Sequence, residues 1–250
     1  MNLVPGQGDP RWLAFLRRHE MAFNAELHLL STGQRPVVCL PADGPEHGAG
    51  WFLTWADAEA GEWNLAHPFG TPAAYEPLLD CFPAGEEFHL LIPAADQEWF
   101  LAHTPLAVAE ELIWHMDPAD PLPPEDDIPI PEPPAGTTFR TMEADPGLSV
   151  VTGEEGIVPR SYLIEHEAIA AMVRVTHVTA HTVEIYIETL PGSRDRGLAT
   201  SLLRLALRGF RRAGRRLVYV TSASNLASRR VAAKVGLVPY QVLARCPFRR

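Results

Sequence analysis

The stretch Glu184–Thr200 (EIYIETLPGSRDRGLAT) limits the possible folds more than any other part of the chain. Val183, Ile185 and Ile187 alternate with Glu184, Tyr186 and Glu188, the period-two pattern of a strand buried on one face. Pro191 and Gly192 end that pattern. The chain then enters a helix at Leu198 in which Thr200 is the one β-branched residue before Gly214. Arg216–Thr221 (RLVYVT) reads as the next strand, so residues 183–221 form a strand–helix–strand unit. Such a crossover is right-handed and its strands are parallel. The fold class expected is therefore α/β, with a mixed sheet.

The loop between strand and helix suits an anion. A helix N-terminus presents unpaired N–H groups and a partial positive charge. Gly197 and Ala199 keep the backbone bare, and Arg194 and Arg196 add charge-assisted donors for phosphate oxygens. In sheets of this kind ligands sit beyond the carboxyl ends of the strands, where this loop lies. Downstream, Asn225-Leu226-Ala227-Ser228 opens a second helix that ends at Val235-Gly236-Leu237, and a last strand runs from about Pro239 to Phe248.

Taken together these residues resemble the GNAT superfamily of acyl-CoA-dependent N-acetyltransferases. The family's pyrophosphate motif (Arg or Gln, two residues, Gly, one residue, Gly or Ala) is met by Arg194, Gly197 and Ala199. Its later Asn-x-x-(Ala/Ser)…Gly-(Phe/Leu) pattern is met by Asn225, Ser228, Gly236 and Leu237. The resemblance covers about residues 137–250. It implies acetyl-CoA as co-substrate, bound by Arg194, Arg196, Gly197, Leu198, Ala199, Thr200, Asn225 and Ser228. It also implies a pantetheine arm lying along the backbone of Ile187, Thr189 and Leu190. The acceptor it implies is a primary amine of a small molecule or peptide.

Acyl transfer needs a neutral amine, a polarised carbonyl and a proton for the leaving thiolate. Glu188 is the candidate to draw the proton from the amine; the other reading is a glutamate on the solvent face of its strand. Many relatives place a tyrosine seven residues after the motif asparagine, and here that position is Ala232. Tyr240 is the candidate replacement, with Tyr219 beside it. Ser228 reads as a helix cap rather than a reacting group. His177 and His181 are four apart, but Val178, Thr179, Thr182 and Val183 argue a hairpin rather than a metal-binding helix, and no metal is expected.

Bulk properties narrow the setting. The chain has 250 residues, enough for one large or two modest domains, and no apolar run long enough to span a membrane. Its start, MNLVPGQGDPRW, lacks the basic-then-apolar layout of a signal peptide, and its three cysteines give neither a disulfide framework nor a zinc spacing. Cytoplasm is the expectation. Residues 1–136 carry 4 basic and 22 acidic side chains, whereas residues 137–250 carry 17 basic and 9 acidic. The basic half suggests nucleic acid. Arg204, Arg208, Arg211 and Arg215 instead share one helix face, which reads as a solvated surface, so no nucleic-acid or membrane partner is expected. A monomer or homodimer is expected.

Along the chain, Asp9 and Pro10 begin a helix expected to run to about Leu30, with Gly33 after it. Strands follow at Val37–Leu40, Trp51–Trp55 and Glu62–Ala66. Then come a helix at Pro72–Leu79, a strand at Glu87–Ile92, a helix at Ala95–His103 and a strand at Val108–Met116. Asp117–Gly136 holds 8 prolines and 6 acids in 20 residues and reads as an extended acidic connector. Beyond it lie strands at Thr137–Met142, Tyr162–Ile164 and Ala168–Val178. The domains expected are 1–116, 117–136 and 137–250.

The order strand, loop, helix, strand, helix, strand occurs over Glu62–Met116 and again over Glu184–Phe248. The chain reads as two GNAT-like halves in tandem. The first has His67-Pro68-Phe69-Gly70-Thr71-Pro72 and no arginine where the phosphate loop belongs, so the acetyl-CoA site is expected in the C-terminal half alone. An unrelated α+β domain at the N-terminus is the alternative. By function, the leading reading is an N-acetyltransferase; a catalytically weak CoA-binding regulatory or interaction protein is the other.

Overall fold

The computed structural model describes residues 10–33, 37–40, 44–55, 64–118, 132–143, 160–166 and 168–250. The expected Asp9 cap, most of the connector (119–131) and the irregular stretch 145–159 lie outside the described residues. The chain divides into two compact units. The first comprises Met1–Ile113, Ser222–Ser224 and Gln241–Arg250; the second comprises Trp114–Thr221 and Asn225–Tyr240.

The first unit opens with two helices where the sequence pattern suggests one: α1 (Pro10–Arg18) and α2 (Asn24–Thr32). Leu16, Phe23, Leu27 and Leu30 keep helical spacing straight through the break, which is why periodicity misses it. The turn is closed by N–H donation from Ala22 and Phe23 to the His19 carbonyl, at 2.9 and 3.1 Å. It lets α2 bury Asn24, Glu26, Leu27, His28, Leu29 and Leu30. Gly33, in the left-handed region at φ 65°, stops α2.

β1 (Val37–Leu40) pairs antiparallel with β2 (Gly50–Thr54), and β2 with β3 (Leu65–Phe69). β3 pairs parallel with β4 (Glu87–Pro93), and β4 antiparallel with β11 (Val238–Arg249), the last strand of the chain. β5 (Glu110–Met116) follows β11 in strand order. β1 and β2 are buried at every residue because both faces are covered. Val37, Cys39 and Phe52 join Trp12, Leu16, Phe23, Leu27 and Leu30 on one face. Val38, Leu40, Trp51 and Leu53 join Tyr75, Leu79, Phe82 and Phe100 on the other. Full burial of such side chains stabilises by roughly 1.5–3 kcal/mol each. His67 ties β3 to α2 through its Nδ1, 3.1 Å from Glu26 Oε1, with both side chains buried.

Two further expectations are corrected here. β3 begins at Leu65 and continues through His67, Pro68 and Phe69, so the loop drawn at 67–72 shrinks to Gly70 and Thr71. The helix at 72–79 is one α-turn, α3 (Pro72–Tyr75), followed by a 3-10 segment at Glu76–Cys81. Pro77 explains that change: it has no N–H to donate back, and its ring clashes with the carbonyl four residues earlier. α4 (Gln97–His103) then leads into β5.

The second unit runs β5-β10-β9-β8-β7-β6. β6 (Thr138–Glu143), β7 (Arg160–His166), β8 (Ala168–Val178) and β9 (Thr182–Thr189) form an antiparallel meander. β10 (Arg216–Ser222) pairs parallel with β9, as the crossover through α5 (Leu198–Arg212) requires. α6 (Leu226–Lys234) follows. Leu198, Leu202, Leu203, Ala206, Leu207 and Phe210 form the buried stripe of α5. The arginines expected on one solvated face are not all solvated, and Arg215 lies past the end of α5. Arg204 is exposed, but Arg215 is buried and donates to the Thr179 carbonyl at 3.1 Å. Arg211 grips the fully buried Asp117 carboxylate with two hydrogen bonds, 2.5 and 2.7 Å. Asp117 therefore ends β5 as an anchor rather than opening a solvated connector. His177 lies on β8 and His181 in the β8–β9 turn, so the pair is part of a hairpin.

Candidate functional site

β9 and β10 are paired from Thr182↔Arg216 to Ile185↔Tyr219, whereas β9 runs on to Thr189 and β10 to Ser222. The strands thus part after Ile185 and Tyr219. β9 keeps its other neighbour over this stretch, with Glu188 opposite Met172 and Thr189 opposite Ala171. The backbone of Tyr186–Thr189 therefore has a side turned toward an opening. This is where the pantetheine-facing residues Ile187 and Thr189 lie, both half-buried.

The loop closes on itself by local bonds. Leu190 N–H donates to the Ala170 carbonyl at 3.0 Å, and Ser193 N–H to the Leu190 carbonyl at 2.9 Å. Pro191–Ser193 forms one 3-10 turn, and Arg194 Nε donates to the Thr189 carbonyl at 3.3 Å. Asp195 (φ 60°) and Gly197 (φ 77°) both take the left-handed conformation. Such alternation turns successive N–H groups to one side and makes an anion-binding concavity. The N-terminus of α5 has no side-chain cap, and a Cβ placed on Gly197 would meet nothing within 4 Å. Arg194 and Arg196 are exposed beside it. Leu198 is buried in the core, so only its main chain is offered to a ligand; Ala199 and Thr200 are half-buried. The arrangement fits a diphosphate.

Asn225 caps α6: its Oδ1 accepts from Ser228 N–H at 3.1 Å. The Ser228 side chain lies near enough to the Tyr219 phenol to act on its ionisation. Tyr219 is the second tyrosine that the sequence offers in place of Ala232. It is 4% exposed and packs in the same core as Ala232, the α6 residue one turn beyond Ser228. Burial raises the Tyr219 phenol above its ordinary range; the Ser228 side chain opposes that shift and the nearby Tyr186 phenol adds to it. Glu188 is half-buried on the β9 face that also carries Tyr186. Tyr240 stands on β11, which strand order separates from β9 by β5 and β10. Three strand spacings amount to about 14 Å, so Tyr240 and Glu188 are not brought together.

The corresponding place in the first unit is built differently. β3 and β4 are also parallel and paired only at Leu65↔His89 and Ala66↔Leu90 before they part. The turn at Gly70 (φ 89°), however, is covered: a Cβ there would lie 2.4 Å from the Gly48 carbonyl oxygen and from Ala49. The helix after it has four residues and starts with a proline. A diphosphate does not fit.

Comparison with known proteins bears on the same segment. Residues 126–237 match the model of the acetyltransferase (GNAT) family. Over that segment the chain is similar to GNAT acetyltransferases. The match takes in β6–β10, α5 and α6 and stops before β11. The fold of the chain is similar to that of a GCN5-related N-acetyltransferase from Kribbella flavida (TM-score 0.60, 14% identity, 91% of this chain and 94% of that one). It is also similar to a tandem GNAT protein from the clavulanic acid biosynthesis pathway (TM-score 0.59, 13% identity, 99% and 98%). A GCN5-related N-acetyltransferase from Sphaerobacter thermophilus matches with a TM-score of 0.54 at 16% identity, over 74% and 72%. At these identities the likeness is one of fold. No curated protein matches the chain. Members of the family normally use acetyl-CoA as co-substrate. Among the described residues no group of three His, Cys, Asp or Glu could hold a metal ion, and no helix is long and apolar enough to cross a membrane.

Proposed function

We propose that this protein is an N-acetyltransferase that moves an acetyl group from acetyl-CoA to a primary amine of a small molecule or peptide. The observation that carries this reading is the open, left-handed turn at Gly197, set at the uncapped N-terminus of α5 where β9 has parted from β10. Arg194, Arg196 and the main chain of Gly197–Thr200 would hold the diphosphate, and the free side of Ile187–Leu190 would pair with an extended amide-bearing arm. Bound there, acetyl-CoA supplies an activated acyl carbon. The chain's own part is to fix the donor's direction and to manage protons.

Glu188 is the residue proposed to take the proton from the acceptor amine, being a half-buried carboxylate on the strand that lines the opening. The first unit is proposed to be a degenerate GNAT-like copy. Its parallel pair that parts early supports this, as does the fold likeness to a tandem GNAT protein over nearly the whole chain. A cytoplasmic setting, a monomer or homodimer, and the absence of nucleic-acid or membrane partners belong to the same proposal. The test is calorimetry of the full chain with acetyl-CoA, followed by a panel of primary amines monitored for thiol release. Binding together with amine-dependent thiol release is expected. Binding without release from any amine would reduce the protein to a CoA-binding one, and no binding would overturn the reading.

A further inference from the structure

The two faces of the β8–β9 pair are put to different uses. Val173, Val175 and Ile185 enter the core with the buried stripe of α5, and Ile187 packs against it. α6 adds Ala232 to that same core, so both described helices of the second unit lie on this side. Strand alternation puts Met172, Arg174, Tyr186 and Glu188 on the other face. There Tyr186 is 43% exposed, and Arg174 is exposed beside it.

The charges on this face are set out in order along β9. Glu184 is already engaged: its Oε1 lies 3.0 Å from His177 Nδ1 and accepts from the Thr176 hydroxyl at 3.3 Å. Arg174 stands opposite Tyr186 in register, with its guanidinium over the ring, 5.3 Å from the centroid. Glu188 stands two residues further along, opposite Met172. Among the described residues Arg174 has no carboxylate partner and Glu188 no cationic one. Contact with a ring face leaves the in-plane N–H groups of a guanidinium for an acceptor. Diagonal positions on neighbouring strands are about 7–8 Å apart. An unpaired cation and an unpaired carboxylate thus share one face, with an exposed aromatic ring next to both.

The first unit closes the equivalent face. Ala66 is the last β3 residue paired with β4, as Ile185 is the last of β9 paired with β10, so His67 and Phe69 stand where Tyr186 and Glu188 do. His67 is buried against Glu26 of α2, and Phe69 is buried with Trp12 and Leu16 of α1. Packing accounts for those two side chains. It does not account for Arg174, Tyr186 and Glu188.

We propose that the acceptor is an amino acid: a primary amine with a carboxylate a few bonds away. Arg174 forks the carboxylate, the Tyr186 ring carries the carbon skeleton, and Glu188 draws in the ammonium group. This rests on the acetyl-transfer reading above and narrows its acceptor. The N-terminal amine of a peptide has no carboxylate on its own α-carbon, and a diamine sets a second cation against Arg174. A carboxylate matches the planar fork of a single guanidinium.

The test is thiol release from acetyl-CoA by the full chain, with a panel of free amino acids each paired with its carboxamide. The amide keeps the skeleton and is the less basic amine, so a poorer rate with it cannot come from a smaller neutral fraction. The wild type should favour the free amino acid in kcat/KM by roughly tenfold or more, the size of one charge-assisted contact. Arg174→Gln should bring the two within about twofold by raising the KM of the amino acid, and Arg174→Lys, which keeps the charge without the fork, should fall between. Calorimetry with acetyl-CoA reports whether the variants are folded; if they are not, the wild-type comparison decides alone. Amides used as well as free amino acids would overturn the proposal, as would a preference that survives Arg174→Gln. A preference for O-phosphoethanolamine over ethanolamine, with none for amino acids, would also overturn it and move the anion to phosphate. Each of these leaves acetyl transfer in place. A wild type that neither binds acetyl-CoA nor releases thiol with any amine removes the acetyl-transfer reading as well.

Discussion

Asp117 is fully buried, and its carboxylate is held by the two-pronged grip of Arg211, which is itself 13% exposed at the side chain. Removing one member of such a pair strands the other, at a cost of about 3–5 kcal/mol. Asp117→Ala should lower unfolding stability by about 3 kcal/mol, at the low end because Arg211 can regain some water. A loss below about 1 kcal/mol in urea melts would show the carboxylate to be hydrated after all. A pH effect resides at His89. Its Nδ1 accepts from Arg245 Nη1 at 2.6 Å, so its own proton belongs on Nε2, 3.6 Å from Glu87 Oε1. Burial lowers its pKa first, the Arg245 charge next, and Glu87 partly offsets both. The unfolded state therefore binds more protons than the folded one at pH below the ordinary histidine value, and stability must fall as pH drops through about 6.5. Histidine 89 to glutamine (His89→Gln) keeps an acceptor for Arg245 and should flatten that slope. Equal slopes for both proteins between pH 7 and 5 would rule this group out.

The loop element combines a strained backbone with empty space, and the two make separable predictions. At Gly197 (φ 77°) any larger residue is strained, yet its Cβ touches nothing, so the fold should survive. Gly197→Val should cost about 1–2 kcal/mol of stability and remove acetyl-CoA binding. Gly214→Val, at a similar φ of 67° and equally open, should cost a like amount and leave binding intact. Arg194→Ala should weaken binding by roughly 1.5–3 kcal/mol, as for a lost charged hydrogen bond. Calorimetry in which Gly197→Val and Gly214→Val bind alike would detach the loop from the donor. This element was legible in the sequence because its signals are local: alternation in Val183–Glu188, the Pro191–Gly192 break, and the helical stripe from Leu198 to Phe210. The α1–α2 break was not, since Leu16, Phe23, Leu27 and Leu30 stay in phase across it. β3 was misplaced because Pro68 reads as a strand terminator, although the strand continues through it opposite Trp51. Tyr219 was named from the sequence as a candidate alongside Tyr240; the end of strand pairing at Ile185↔Tyr219 is what the sequence did not mark.

At the scale of the molecule, neither unit is one continuous stretch of chain. Gln241–Arg250 belongs to the first unit, where Leu243–Arg249 pairs with Glu87–Pro93 and Ala244 and Cys246 enter the core. Arg250 closes that strand by donating to the Phe82 carbonyl at 2.8 Å. Composition drew the boundary at the proline-rich stretch and had no means of assigning the last ten residues, because pairing between strands so far apart in sequence leaves no local mark. A fragment starting at Thr137 would carry Leu243–Arg249 without the β4 residues they pair with, so donor binding is best measured on the whole chain. There the number of sites is itself a prediction. The chain has two places where a parallel pair parts, but they are not equivalent. In the second unit the turn is open at Gly197 and flanked by two exposed arginines. In the first, the Gly48–Ala49 main chain lies against Gly70, and α3 is a single turn beginning at Pro72, which has no N–H to give. The helix face beyond that turn is filled by Trp51, Tyr75, Phe82 and Phe100, with the Trp51 indole N–H donating to the Tyr75 carbonyl at 2.7 Å. Opening it for a donor arm would mean unpacking several of these rings, at roughly 1.5–3 kcal/mol each. Titration should therefore saturate at one acetyl-CoA per chain, and Gly197→Val should abolish that single event without uncovering a weaker one. Two donors per chain, or a residual site in the Gly197→Val protein, would mean that the first unit still binds.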